Sequence, residues 1–362
     1  MMLAFYSKKI FTGNQEIENA YIIVNEGIIG EIVKEKPTDN NIIIKDYSDY
    51  NIAPSLIDLQ IYGGGGRLFN TEPTVQTIQK TYDEIRKSGT NHFQITLSTI
   101  SLENMLEGIE ACKNYQKSGG KGLIGLHLEG PYFNPIKKGA HIEKYVRKPT
   151  LNEINKILKA SEGIVTYMTI APEIFDDECL NFLINSGINI SAGHSDATFT
   201  QAKMAFSKGI SRVTHLFNAM SQFQSRAPGL VGATYDSEAY ASIVCDGIHV
   251  DFNAVKISKS IMGERLFYIT DAVTEDTRGE YSFTLNNDHY INEKGVLSGS
   301  ALTMMKAVKN GVEKCGIPIA ESLRMASTIP AKVANLGHQL GKIEKGYLAD
   351  FVVFDDDFNV IL

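Results

Sequence analysis

The sequence predicts an α/β protein, a (β/α)8 TIM barrel with a small β-sandwich domain that both chain termini form. In the middle of the 362-residue chain, eight short apolar runs alternate with stretches of helical spacing, and this alternation indicates a parallel sheet. Both ends of the chain are instead rich in β-forming residues, as a split domain would be. The length fits a barrel of roughly 250 residues with a smaller domain beside it.

The chain ends show the strand pattern over short segments. Residues 20–24 and 28–33 are rich in β-formers and flank the turn signal Asn25-Glu26-Gly27, and 42–44 is a further apolar run. At the other end, 348–354 predicts a strand, with a candidate second strand at 358–362. We therefore assign residues 1–52 and 340–362 to the small domain and residues 53–339 to the barrel.

Eight repeats favour a closed barrel, because an open sheet would more often stop at five or six strands. The predicted barrel strands are 56–61, 92–97, 123–128, 165–170, 188–192, 212–216, 241–245 and 266–270. Helical spacing occupies 73–87, 102–115, 151–160, 176–185 and 199–207. After the eighth strand the pattern predicts a hairpin over 281–297 and helices at 302–314, 319–325 and 330–336.

Composition excludes several functional classes. A net charge of -7 argues against a nucleic-acid surface, which would need clustered lysine and arginine. We find no signal-peptide pattern and no apolar run near the roughly 20 residues that a membrane span requires, so we expect a cytoplasmic protein without a membrane partner. The cysteines lie far apart and predict buried free thiols: Cys112, Cys179, Cys245 and Cys315.

Three potential metal ligands fall at the ends of predicted strands, where barrel enzymes carry their chemistry. Glu129 follows the third strand, His194 the fifth and His215 the sixth. One carboxylate and two imidazoles that converge from three strands and leave a position open are typical of a catalytic zinc or iron(II) site. The sequence therefore predicts a metal site at this end of the barrel.

Asp271 follows the eighth strand and has three candidate roles: a fourth ligand, a salt-bridge partner or a general base. A bound metal lowers the pKa of its water toward about 7, and a neighbouring carboxylate can then take the proton. We favour the base role. His141 lies beyond the third strand and His249 beyond the seventh, so both are expected near this site.

Sequence motifs along nearly the whole chain resemble those of the N-acetylglucosamine-6-phosphate deacetylases of the amidohydrolase superfamily. The most specific are His-Leu-Glu-Gly-Pro at 127–131 and Thr-His-Leu-Phe-Asn-Ala-Met at 214–220. Further matches are Ser-Ala-Gly-His-Ser at 191–195, Asp-Gly-Ile-His-Val-Asp at 246–251 and Ile-Thr-Asp-Ala at 269–272. The segment 346–351 is similar to amidohydrolases generally.

The resemblance implies metal-dependent hydrolysis of N-acetylglucosamine-6-phosphate to glucosamine-6-phosphate and acetate in amino-sugar catabolism. Glu129, His194 and His215 would hold one divalent metal ion per chain, with zinc favoured over iron, cobalt or manganese. Metal-activated water would attack the acetyl carbonyl, with Asp271 as base and then acid. His141 would contact and polarise that carbonyl.

The resemblance also implies how the sugar phosphate is bound. Asn218, Ala219 and His249 would bind sugar hydroxyls and phosphate, together with His141 at the acetyl group. Arg226 would bind phosphate across the interface of a homodimer, reaching the partner's site. The expected partners are thus a small-molecule sugar phosphate and a second copy of the chain.

The chain departs from many amidohydrolases at the first strand, where those carry His-x-His for a second metal. Here the residues are Gln60-Ile61-Tyr62, and strand four offers no lysine for a bridging carbamate. We therefore expect a single metal, and the role of Tyr62 stays open. Three alternatives also stay open: the same chemistry on the galactosamine epimer, a cyclic amidase, and an inactive scaffold barrel.

Overall fold

The structure is a computed structural model that describes residues 2–293 and 295–361. Strands are numbered in chain order, and the last one ends eight residues before the end of the chain. They are β1 (Met2–Phe11), β2 (Glu16–Asn25), β3 (Ile28–Val33), β4 (Ile42–Asp46), β5 (Asn51–Pro54), β6 (Leu56–Ile61), β7 (Gly63–Gly64), β8 (Arg67–Leu68), β9 (Thr90–Leu97), β10 (Leu123–Glu129), β11 (Val165–Ile170), β12 (Asn189–Ala192), β13 (Arg212–Val213), β14 (Tyr240–Ile243), β15 (Leu266–Tyr268), β16 (Thr284–Asn286), β17 (His289–Ile291), β18 (Leu297–Ser300) and β19 (Phe351–Phe354).

Helices follow most of the central strands, and polar side chains cap several of their first turns. Thr198, for example, caps α5 in a reciprocal capping box with Gln201. Within the described residues no helix has both the length and the apolar character needed to cross a bilayer. The helices are α1 (Val75–Ile85), α2 (Leu102–Lys117), α3 (Leu151–Ser161), α4 (Asp177–Ile184), α5 (Phe199–Ser207), α6 (Gly229–Tyr235), α7 (Phe252–Met262), α8 (Met304–Glu313), α9 (Ile319–Ala326) and α10 (Thr328–Val333).

Eight central strands form one sheet in the order β6, β9, β10, β11, β12, β13, β14, β15. Each pairing from β9 to β15 is parallel. The two outer strands meet where Asp271 N donates to Gln60 O at 3.0 Å and Tyr62 N donates to Ala272 O at 3.0 Å. These bonds close the sheet, and the predicted (β/α)8 barrel is confirmed.

Both ends of the chain contribute to a second sheet, of six strands. Its order is β19, β5, β1, β2, β3, and β4 pairs with β1. The long antiparallel pair β1 and β2 turns alternate side chains inward, and Ile10, Ile22 and Val353 are fully buried there. The joint origin of this sheet from the two termini is confirmed, whereas the two-layer packing of a sandwich stays a prediction.

The chain divides into two compact units. One consists of residues 1–58, 85–92 and 303–362, and the other of residues 59–84 and 93–302. The helices α8, α9 and α10 thus belong to the unit of the terminal sheet. The domain limits inferred from the sequence, at residues 52/53 and 339/340, stay a prediction.

Within the terminal unit, Asp350 is the centre of a polar group that we call the Asp350 cluster (Ser55, Asn91, His92 and Asp350). The Ser55 hydroxyl donates to Asp350 Oδ2 at 2.7 Å, the Asn91 amide donates to Oδ1 at 2.6 Å, and His92 Nε2 lies 2.6 Å from Oδ2. Burial alone would raise the pKa of Asp350, but His92 and the two other donors hold this pKa below its usual value.

Most predicted elements agree with the structure to within a few residues, and the differences have local causes. The sixth and eighth barrel strands, β13 and β15, are shorter than predicted, because the backbone turns sharply at His215 and Asp271. The predicted hairpin is a three-stranded sheet, β16 to β18. The candidate strand at 358–362 forms a single bridge, between Val360 and Phe354, and Leu362 lies outside the described residues. All four cysteines are buried free thiols, as predicted.

Candidate active site

A pocket of about 200 Å³ opens at the carboxyl ends of the barrel strands. Eight of the nine predicted site residues line it, and Arg226, which is exposed, does not. The structure therefore brings together residues from segments more than 140 positions apart. The eight are Glu129, His141, His194, His215, Asn218, Ala219, His249 and Asp271.

Glu129, His194 and His215 meet at the base of this pocket. Glu129 Oε1 lies 3.0 Å from His215 Nε2 and 3.3 Å from His194 Nε2, and the two nitrogens are 3.1 Å apart. Ligands at about 2.1 Å around a tetrahedral ion are separated by roughly 3.4 Å. The three atoms therefore have nearly the spacing that a shared divalent ion requires.

The hydrogen bond of His194 Nδ1 determines which ring nitrogen of His194 faces Glu129 and His215. His194 Nδ1 lies 2.9 Å from the carbonyl oxygen of Lys137, which can only accept. Nδ1 therefore carries the proton, and the lone pair of Nε2 points toward Glu129. Burial lowers the pKa of His194 to about 4, so the ring is neutral, as metal ligation requires.

Glu129 is almost fully buried, and its two oxygens have different partners. Oε2 accepts from the Tyr62 hydroxyl and from His141 Nε2 at 3.0 Å. Oε1 accepts from the Gln60 amide at 2.9 Å and faces the other two histidines. Burial alone would raise the pKa of Glu129, but its interactions with His141 above all, and with His194 and His215, hold this pKa well below its usual value. Glu129 is therefore an ionised carboxylate with one oxygen that could bind a cation.

Asp271 is held beside this group by the Gln60 amide, which donates to Oδ1 at 2.7 Å. Burial raises the pKa of Asp271; the charge of His215 opposes this and that of Glu129 adds to it. A carboxylate with a raised pKa is a better proton acceptor than an exposed one.

The pKa of His215 is also raised. Burial opposes protonation of this ring, but the hydrogen bond to Glu129 and the charges of Glu129 and Asp271 outweigh the effect of burial.

A second set of three potential ligands overlaps the predicted one. Glu129, His141 and His194 each offer an atom, and these atoms all lie within 4.8 Å of one another. His141 and His215 are thus both close enough to complete a site with the other two. The hydrogen bonds of the His141 ring decide whether His141 or His215 can offer a lone pair.

Two predicted substrate-binding residues have unused hydrogen-bonding capacity. His249 Nδ1 lies 2.6 Å from Asp246 Oδ2, which leaves Nε2 for a ligand. The amide nitrogen of Asn218 is buried and has no hydrogen-bond partner among the described residues. Buried polar groups are normally paired, so an unpaired amide in the wall of a pocket is suited to a polar ligand.

The residues at the strand ends have unusual backbone conformations. His194, His215 and Asp271 have φ values of 49°, 38° and 53°, and Ala219 has a φ of 48°. Each non-glycine residue in this left-handed region costs on the order of 1–3 kcal/mol. The conformation ends each strand abruptly and turns the side chain into the pocket.

Sequence reasoning missed part of the pocket wall. Ser98 and Tyr281 line the pocket, and Thr99 lies behind His141. The pair Ser98-Thr99 directly follows the second predicted strand and could have been found by reading that strand end with the others. Tyr281 lies in the segment after the barrel, whose placement over the pocket has no local sequence signal.

Comparison with known proteins gives consistent matches over the whole chain. The sequence profile of the amidohydrolase family matches residues 51–362. The chain is 34% identical to the N-acetylglucosamine-6-phosphate deacetylase of Haemophilus influenzae, over 100% of this chain and 97% of that protein. It is 32% identical to the N-acetylgalactosamine-6-phosphate deacetylase of a Shewanella species, over 99% of this chain and 94% of that protein.

A solved structure gives the same result. The crystal structure of N-acetylglucosamine-6-phosphate deacetylase from Pasteurella multocida superposes with a TM-score of 0.95 at 33% identity, covering 99% of this chain and 97% of that chain. Together with the buried Glu and His groups, the family match indicates a metal ion in this pocket.

Proposed function

The chain belongs to the amidohydrolase family, and we propose that this hydrolase releases acetate from N-acetylglucosamine-6-phosphate. The observation that carries the proposal is the convergence of Glu129, His194 and His215 within 3.3 Å of one another, next to Asp271. The names of the relatives support a sugar phosphate as the substrate. We also propose that the protein is cytoplasmic.

The proposed metal site consists of Glu129 Oε1, His194 Nε2 and His215 Nε2. A divalent ion bound there would supply Lewis-acid activation of water and of the acetyl carbonyl. We propose one ion per chain, with zinc favoured. Gln60 and Tyr62 support this number, because their side chains donate hydrogen bonds to Glu129 on the side of the first strand.

In the proposed reaction, Asp271 takes a proton from the attacking water, and the oxygen of that water bonds to the acetyl carbon. His141 Nε2 donates a hydrogen bond to the carbonyl oxygen as negative charge develops there. The bond between carbon and nitrogen then breaks, and Asp271 returns the proton to the departing amine. The products are acetate and the free amino sugar phosphate.

The sugar and phosphate would be bound by Asn218, Ala219 and His249 on the opposite wall. Arg226 is exposed and does not line the pocket of its own chain. We propose that it reaches the phosphate in the second copy of a homodimer. A guanidinium suits this role because its planar donors match phosphate oxygens.

The galactosamine epimer is a second candidate substrate, because one relative at 32% identity carries that name. The test is acetate release from both N-acetylated 6-phosphates, with metal analysis of the same sample. We expect a higher kcat/KM for the glucosamine substrate. A higher value for the galactosamine substrate would reverse the assignment, and no acetate from either would refute the deacetylase.

A further inference from the structure

The inner side of the His141 ring lies against Thr99. The backbone N–H of Thr99 donates to His141 Nδ1 at 3.1 Å, and the Thr99 hydroxyl oxygen lies 3.1 Å from the same nitrogen. Thr99 is fully buried, and His141 and Tyr281 are each 7% exposed. Water therefore competes little for these hydrogen bonds, and their direction determines the state of the ring.

A backbone amide can only donate, so His141 Nδ1 must accept. In a neutral imidazole the other nitrogen then carries the proton, and Nε2–H donates to Glu129 Oε2 at 3.0 Å. His194 shows the opposite arrangement, because its Nδ1 faces a carbonyl oxygen and its Nε2 holds the lone pair. A protonated ring nitrogen has no lone pair to offer a cation. His141 is thus a hydrogen-bond donor, and His215 is the third ligand.

The Tyr281 hydroxyl holds Thr99 in this position. It donates to the Thr99 carbonyl oxygen at 2.8 Å and accepts from Ile142 N at 3.3 Å. Its oxygen also lies 2.9 Å from the Thr99 hydroxyl. Because the Tyr281 hydroxyl donates its hydrogen to the Thr99 carbonyl oxygen, the hydrogen of the Thr99 hydroxyl points to Tyr281 or to His141. In either case the backbone N–H of Thr99 donates to Nδ1.

We propose that Thr99 and Tyr281 are positioning residues that hold His141 as an N–H donor for the acetyl oxygen and keep it out of the metal's ligand set. The inference rests on the proposed deacetylation, and it explains why one of three neighbouring histidines is not a ligand. The Nε2–H of His141 donates to Glu129 Oε2 at 3.0 Å, and the acetyl oxygen would take over this hydrogen bond as negative charge develops on it. The two hydroxyls fix the orientation of the ring from its inner side.

The first test removes the hydroxyls one at a time. We expect Thr99→Val and Tyr281→Phe each to lower kcat by roughly 10–100-fold, the range for groups that orient a reacting residue. The KM and the metal content should change little, and Thr99→Ser should recover most of the rate. Tyr115→Phe is the matched control, because it removes another buried phenol hydroxyl, which donates to Lys121 O at 2.9 Å outside the pocket. If kcat stays within about threefold of the parent in both variants, the proposal is wrong.

The second test measures metal content and does not depend on turnover. The amide of glutamine reaches the place of histidine Nε2 and can donate there, so His141→Gln should keep the full metal content. Its kcat should exceed that of His141→Ala. Loss of metal in His141→Gln would make His141 a ligand and overturn the inference. If the unaltered protein releases no acetate, the deacetylase proposal fails separately, and the metal content still decides the role of His141.

Discussion

Two carboxylates in this protein, the buried Glu129 and the partly buried Asp350, are surrounded by similar side chains and have different consequences. We call Glu129, His141, His194, His215 and Asp271 the site cluster. In the Asp350 cluster, three donors satisfy one carboxylate. In the site cluster, His215 Nδ1 has no hydrogen-bond partner among the described residues, and the carboxylate faces a pocket. Each carboxylate accepts three hydrogen bonds, but only Glu129 lies in a pocket beside a polar atom that lacks a partner in the described part of the chain, and such a group can bind a ligand.

The largest effect in the site cluster is expected when a proposed metal ligand is removed. We expect His194→Ala to lose the metal and all measurable acetate release, because two ligands cannot hold the ion as three do. His289→Ala is the matched control, since that histidine lies in β17 and pairs with Asp288. Elemental analysis and an acetate assay on both variants check this. Two equivalents of metal in the fully active parent would contradict the single-ion site.

A second test separates a base from a ligand within the site cluster. Asp271→Asn keeps the size of the side chain but removes its capacity to accept the proton. We expect turnover to fall by at least ~100-fold, the low end for general acid–base catalysis, with metal and substrate still bound. Metal analysis and single-turnover assays measure these quantities. Recovery of the rate with excess zinc would instead identify Asp271 as a ligand.

A third test asks whether Arg226 contributes to phosphate binding. Arg226→Ala should lower kcat/KM for the 6-phosphorylated sugar by roughly 10–150-fold, which corresponds to a lost charge-assisted contact of about 1.5–3 kcal/mol. Activity on the sugar without phosphate, which we expect to be low, should change little. Parallel kinetics on the two substrates measure the difference, and an equal loss on both would show that Arg226 does not contact phosphate.

The smallest effect on activity is expected from the Asp350 cluster. Asp350→Asn should lower the free energy of unfolding by roughly 1–3 kcal/mol at pH 7 and leave the metal content unchanged. The pKa of Asp350 is lowered in the folded state, so its contribution is present above the unfolded value of about 3.9 and is lost as the pH falls through the folded value. Urea unfolding should show the two proteins converging below about pH 4.

Asp357→Asn is the control for this series, because that carboxylate is exposed. It should unfold like the parent at every pH. A deficit in Asp350→Asn that persists undiminished at low pH would mean that packing, and not the charge, accounts for the stabilisation.

The sequence was sufficient for the barrel because short apolar runs alternate with stretches of helical spacing, and this alternation locates the strands. It also placed the proposed ligands at the ends of strands, where topology brings distant residues together. It could not identify Thr99 and Tyr281, because their proposed role depends on the direction of hydrogen bonds between residues that are 182 positions apart in the chain. Similarly, the lengths of β13 and β15 depend on left-handed residues that the strand pattern does not encode.

The left-handed backbone around the pocket has a consequence for how such a protein changes under selection. Four of the residues proposed to act in the site, His194, His215, Ala219 and Asp271, have conformationally unfavourable positive φ. A lineage released from selection for activity would therefore gain stability by replacing Ala219 with glycine, which tolerates positive φ. Loss of this side chain is favourable in free energy at that position. A rise of roughly 1 kcal/mol in the unfolding free energy of metal-free Ala219→Gly would demonstrate it, and an unchanged or lower value would refute it.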